Sequence, residues 1–263
     1  MLNGPIFAQS IMAVWVVQTI LFKFQNSKIS QFLNNFYFLS SIDRFESMIY
    51  TVLTYLSLLI YPLGLWSVPL VAIAVLLHLA ALYPIFYLVF ILYPLWTLVN
   101  ADQAVTGRGR VESWRQMAVF RYIANYFPVK LHKTSELDPD KCYILAHFPH
   151  GCICYANVIN FGTDGSGVSK LFPGISVSPL TLDINFYLPL LREFLVKLGF
   201  GSVSAKSILY RLTKLKGQAI SIVIGGAAEA ALTDPNEPYI CQFSQRKGFI
   251  KLAMKTGFLN VHN

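Results

Sequence analysis

Charged residues are absent from 55 consecutive positions between Glu46 and Asp102. About 20 apolar residues cross a bilayer, so the stretch is long enough to cross twice. Pro62, Gly64 and Pro69 mark the predicted reversal, with arms over residues 49–65 and 68–97. Pro84 and Pro94 fall in the second arm, where proline kinks or ends a helix. A re-entrant hairpin that dips into one leaflet fits the same pattern. Residues 5–22 form another uncharged, mostly apolar run without the basic start or small-residue cleavage site of a signal peptide. A third span, an interfacial helix and a segment foreign to the core all fit that run.

From Asp102 onward the pattern changes to short apolar runs separated by helical spacing. Residues 142–146, 175–182 and 219–224 read as strands, and 129–132 as a short one. The run Ala219-Ile220-Ser221-Ile222-Val223-Ile224 is the pattern of a central strand buried on both faces. Helical spacing covers 113–126, 152–161, 188–197, 207–215 and 246–256, with a turn at 199–201. Alternation of strand and helix predicts an α/β domain: a mostly parallel sheet with helices on both faces. The predicted organisation is an N-terminal segment 1–45, a transmembrane or re-entrant hairpin 46–101, and a cytosolic domain 102–263.

Composition adds an orientation. The chain is 55% hydrophobic and 13% charged, against roughly 25% charged in an average soluble domain. Lys23, Lys28 and Arg44 precede the uncharged stretch; Arg108, Arg110, Arg115 and Arg121 follow it. Cations on both flanks place both on the cytosolic side and require an even number of crossings. Arg115 and Arg121 are expected to reach lipid headgroups. The net charge of +8 suits anionic headgroups and phosphate-bearing substrates. No basic run or recognisable module points to nucleic acid. The cysteines are Cys142, Cys152, Cys154 and Cys241, with no Cys-x-x-Cys pair. Without such a pair, no metal site is expected.

The candidate chemistry is His147-Phe148-Pro149-His150-Gly151, directly after the strand 142–146. Imidazole titrates near neutral pH and can accept a proton from an alcohol. Pro149 restricts the chain before His150, and Gly151 allows close approach of backbone or ligand. Ligands in parallel sheets sit beyond the C-terminal strand ends. Both His150 and Gly225-Gly226-Ala227-Ala228-Glu229 fall there. No Gly-x-Ser-x-Gly elbow, P-loop or dinucleotide fingerprint occurs.

Taken in order, the blocks resemble the type-2 diacylglycerol acyltransferase family, which includes monoacylglycerol and wax-alcohol acyltransferases. They are Tyr126-Phe127-Pro128, Pro149-His150-Gly151, Val168-Ser169-Lys170, Phe172-Pro173-Gly174-Ile175 and Pro189-Leu190-Leu191-Arg192-Glu193, followed by Val203-Ser204, Gly225-Gly226-Ala227-Ala228-Glu229 and Arg246-Lys247-Gly248-Phe249. The family signature is His-Pro-His-Gly, and Phe148 stands in place of its first histidine.

The resemblance implies a glycerolipid-acyltransferase-like fold and transfer of an acyl chain from acyl-coenzyme A to a lipid hydroxyl. Diacylglycerol is the first expected acceptor, with monoacylglycerol or a wax alcohol as alternatives. The expected setting is the endoplasmic reticulum membrane, multi-pass, and lipid droplets. Acyl-coenzyme A would be a co-substrate, with no cofactor or metal besides; a homo-oligomer remains open. His150 would be the general base, and Glu229 would orient it or hold the acceptor. Pro149, Gly151, Gly225 and Gly226 would border the substrate. Arg246 and Lys247 would bind coenzyme A phosphates.

The family pattern continues past Gly257 into a further strand, a Phe-Gly-Glu loop and terminal helices, where this sequence reads Phe258-Leu259-Asn260-Val261-His262-Asn263. The expectation is an incomplete sheet with an unpaired edge, lowered stability and doubtful activity. A non-catalytic family member that binds lipid or an active homologue fits the same features.

Overall fold

A computed structural model describes residues 41–151, 153–234, 241, 246–256 and 261–262. The apolar run 5–22 and Cys152 lie outside the described residues. Helix α1, Ser41–Leu82, runs 42 residues without a break through Pro62, Gly64 and Pro69. The predicted reversal there is therefore corrected. The interruption comes at Tyr83, which takes the extended conformation (φ −133°, ψ 99°) ahead of Pro84. Proline disfavours helical backbone in the residue before it; at Tyr83 that preference wins, whereas Tyr61 and Val68 stay helical. A single 3-10 turn, Pro84–Phe86, leads into α2, Tyr87–Val99, with Pro94 inside it.

The short helices α3, Gln103–Thr106, and α4, Glu112–Arg115, lead to α5, Ala118–Tyr126. The single helix expected over 113–126 is thus two, broken at Met117 (ψ 138°). Arg115 explains the break. Its side chain turns into the protein and is 1% exposed. Nη1 donates to the carbonyls of Gly162 at 2.9 Å and Leu198 at 2.7 Å, and Nη2 to Phe161 at 3.1 Å. The expectation that Arg115 meets headgroups is overturned: three main-chain carbonyls hold it inside, and buried polar groups require such partners.

Five parallel strands form the sheet in the order β3-β2-β4-β1-β5. They are β1 Tyr143–His147, β2 Ser176–Thr181, β3 Gly201–Ser202, β4 Gln218–Val223 and β5 Val261–His262. Helix α6, Tyr155–Asn157, continues as a wide turn over Val158–Gly162, where one longer helix was expected. Then come α7, Val168–Leu171, α8, Leu191–Leu198, α9, Ala205–Lys214, α10, Gly226–Ala231, and α11, Gly248–Thr256. Residues 129–132 join no strand. The expected turn at 199–201 instead yields β3, which pairs Gly201 with Leu180. A Cβ on Gly201 would lie 2.7 Å from the Arg211 guanidinium, which would have to shift from its place.

Strand alternation sorts the core. Ile144, Leu180, Ile220 and Ile222 face Ile208 and Leu212 of α9 and Ala253 of α11. Tyr143, Val177 and Ala219 face Val168 and Ile175 on the other side. Both faces are covered, as parallel sheets require. The expected unpaired edge beside β1 is partly closed, since Val261 and His262 pair with Ile144 and Leu145.

Two further buried arginines fasten the chain that leaves α2. Arg192, 3% exposed, donates from Nη2 to Asn100 O at 2.7 Å and Gln103 Oε1 at 3.1 Å. Arg211, 1% exposed, donates to Val105 O at 3.1 Å and Ala104 O at 3.2 Å. Pro84–Thr106 is long and apolar enough to cross a membrane, by length and composition. Its outward side chains include Leu98 at 70% exposure and Val99 at 81%.

Candidate active site

The two central strands deliver the candidate residues to one edge. Paired in register, β1 and β4 end together at His147 and Val223. The Ile224 N–H still donates to His147 O at 3.1 Å, and beyond it the strands diverge. One continues as Phe148-Pro149-His150-Gly151, with a cis Phe148–Pro149 bond. The other turns through Gly225 and Gly226 into α10.

These two ends meet. The His150 main-chain N–H donates to Glu229 Oε2 at 2.6 Å. Glu229 is 2% exposed and lies in the first turn of α10. Its carboxylate therefore grips the backbone of the histidine. Gly225 makes room for this contact, because a Cβ there would collide with the Glu229 carboxyl group. Among the described residues, nothing beyond its chain neighbours lies within 4 Å of a Cβ placed on Gly226 (φ +59°), and Ile153 O at 4.0 Å is what one on Gly151 (φ +63°) would meet. Both glycines occupy left-handed backbone that a side chain would strain.

The His150 ring has a defined proton arrangement. Nδ1 lies 2.8 Å from Gly151 O. A carbonyl oxygen accepts only, so in a neutral ring this contact puts the proton on Nδ1 and the lone pair on Nε2. His147, on the preceding strand, is held below the ordinary histidine value by burial and then by the neighbouring His150. Burial pushes the Cys154 thiol up to about 11, so it stays protonated and is no nucleophile at neutral pH. Arg246 and Lys247 are exposed just ahead of α11. Among the described contacts, none ties them to His150 or Glu229.

One polar feature of this region escaped sequence reasoning. Ser221, fully buried in β4, donates its hydroxyl to Asn157 Oδ1 of α6, also buried. The signal was a lone serine in an otherwise apolar central strand. A polar group in that position needs a partner from the covering layer.

The sequence profile of the diacylglycerol acyltransferase family matches residues 79–261. The chain belongs to this family. It is 44% identical over 168 residues to diacylglycerol O-acyltransferase 1 of Schizosaccharomyces pombe, covering 64% of this chain and 48% of the relative. It is 41% identical over 174 residues to diacylglycerol O-acyltransferase 2 of Danio rerio, covering 65% and 48%. Human 2-acylglycerol O-acyltransferase 3 is 39% identical over 168 residues, covering 64% and 49%. The chain spans about half the length of these curated relatives. No solved structure matches it significantly.

Proposed function

We propose that this chain carries the catalytic core of an acyl-coenzyme A-dependent O-acyltransferase that esterifies a lipid hydroxyl. The observation that carries the reading is the His150 ring. With Nδ1–H on Gly151 O, Nε2 is the basic nitrogen. It takes the proton of the acceptor hydroxyl as the oxygen attacks the thioester carbonyl carbon. The tetrahedral intermediate collapses with loss of the coenzyme A thiolate, and the imidazolium returns its proton to that sulfur. Glu229 keeps the His150 backbone fixed throughout, and Gly151 and Gly226, which carry no side chain, border the reacting groups.

The oxyanion needs preorganised donors, and the main-chain amides beside Gly151 are the candidates. The parallel topology supports Arg246 and Lys247 as the coenzyme A phosphate contacts. Helix α11 precedes β5 and packs along the sheet, so its N-terminal end is directed toward the C-terminal strand edge that carries His150. The acceptor is diacylglycerol on this reading, with monoacylglycerol and long-chain alcohol as rivals that differ in bulk and in one polar group. The long apolar helices and their basic flanks support a multi-pass endoplasmic reticulum membrane protein with a cytosolic catalytic domain.

The test is acyl transfer from labelled oleoyl-coenzyme A in membranes, with diacylglycerol, monoacylglycerol and hexadecanol competing. His150→Ala abolishes transfer and leaves membrane association intact. Near-normal turnover in that variant overturns the base assignment.

A further inference from the structure

The segment between β2 and α8 turns four large apolar side chains outward. Leu182 is 48% exposed, Ile184 56%, Tyr187 77% and Leu190 47%. Phe186, between them, is buried against Leu191 and Leu195. The segment is firmly held in this arrangement. Residues Asp183–Phe186 form a 3-10 turn, and Asn185 Nδ2 donates to Thr181 Oγ1 at 2.7 Å. Leu190 sits at φ +64°, a positive-φ backbone that side-chain-bearing residues rarely adopt. Asp183 is the one charged side chain in this stretch and is exposed.

Neighbouring contacts say what covers this surface. Helix α8 begins at Leu191, directly after the segment, and its first turn holds α2. Tyr93 Oη donates to the two Glu193 carboxylate oxygens at 3.0 and 3.2 Å. The Arg192 guanidinium lies 4.9 Å from the Trp96 ring centroid. The outward side chains of α2 are apolar, Ile91 and Leu95 among them. Apolar loop and apolar helix are therefore joined through one polar seam of Tyr, Trp, Arg and Glu. Aromatic rings beside cations are the composition of a membrane–water boundary. The segment also leaves the C-terminal end of β2, the edge of the sheet that carries His150 and Glu229.

We infer that residues 182–190 are a membrane-insertion loop. Leu182, Ile184, Tyr187 and Leu190 enter the leaflet that receives α2, with Asp183 at headgroup level. The His150 edge is thereby pressed against the bilayer, and a lipid acceptor reaches it without passing through water. That last clause rests on the acyl-transfer reading; the docking itself rests on the surface and its seam to α2.

The test uses the full chain in phosphatidylcholine vesicles containing a diazirine-bearing phosphatidylcholine, photolysed and mapped by mass spectrometry. Lipid adducts are expected on Ile184, Tyr187 and Leu190 together with α2. Adducts confined to α1 and α2 overturn the inference. A second arm uses the variant Ile184→Ser/Tyr187→Ser/Leu190→Gly, in which glycine suits the positive-φ backbone. Removing three apolar anchors should lower transfer to bilayer-embedded dioleoylglycerol about tenfold, while transfer to micellar dioctanoylglycerol stays within about twofold. Equal loss on both acceptors overturns the delivery role. If the unaltered chain transfers to neither acceptor, the acyl-transfer reading fails, and the adduct map still decides the docking.

Discussion

Glu229 Oε2 accepts the main-chain N–H of His150 at 2.6 Å, linking two strand ends 79 residues apart in sequence. The carboxylate is buried beneath Gly225, so the bond is both desolvated and hard to replace. It acts on the position of the imidazole rather than on its proton. On the proposed mechanism Glu229 is a positioning residue.

Truncation and conservative replacement should therefore differ. Glu229→Ala leaves a buried N–H unpaired, at a cost of about 1–3 kcal/mol. It should also lower kcat by about 100-fold, the scale of a misplacement near 1 Å. Glu229→Gln retains an accepting oxygen and should recover most of both losses. Thermal unfolding and steady-state kinetics on the pair of variants check this. Equal defects in the two would mean that the negative charge, not the contact, is what matters.

A pH effect on stability follows from His147. Burial, then the nearby His150, holds its folded value below the ordinary 6.5. The unfolded chain thus binds the proton more readily, and stability rises with pH across the gap. The His147 contribution is fully present above about pH 6.5 and is lost as pH falls through the lower folded value. Melting temperatures between pH 5 and 7.5 should fall on acidification, with a shallower slope in His147→Gln. An unchanged slope in that variant would remove His147 as the source.

Strand periodicity made the sheet legible. Ile144, Ile220 and Ile222 all lie where alternation puts them, and the strand ends at His150 and Glu229 come together as the parallel pattern predicts. Long-range polar contacts were not legible. Arg115 read as a membrane-flanking cation, and nothing marked Arg192 or Arg211 for burial, because sequence spacing carries no trace of a carbonyl 46 to 107 residues away. The helix break was misplaced for a related reason. Pro62, Pro69, Pro84 and Pro94 look alike in sequence, and only at Tyr83 does the preceding residue leave the helical region. For Glu229, sequence indicated the neighbourhood and left the partner atom unspecified.

Arg115 is the clearest stability test among the buried cations. Burial, then the like charge of Arg110, lowers it to about 10, so it remains charged at neutral pH while bonded to three carbonyls. Arg115→Met fills similar volume and strands those carbonyls, which should cost about 3 kcal/mol or more. Arg115→Lys restores part of that by bonding one or two of them. Urea denaturation of the detergent-solubilised chain measures both. A loss below about 1 kcal/mol in Arg115→Met would show that water reaches the carbonyls.

The seam between α2 and α8 can be measured as a coupling. Tyr93→Phe removes one hydroxyl, and Glu193→Ala removes its acceptor. Each variant should be destabilised, and the double variant should be little worse than Glu193→Ala alone. The coupling energy expected for one such bond is about 0.5–1.5 kcal/mol. Arg192 complicates the Glu193 side of the cycle, because its Nη1 lies 3.5 Å from Glu193 Oε1. That contact is present in both Tyr93 backgrounds, however, and cancels from the coupling. Thermal unfolding of the four proteins in one detergent supplies the cycle. Strictly additive losses would mean that α2 is held by Arg192 and its bond to Asn100, with the Tyr93 hydroxyl contributing nothing to the seam.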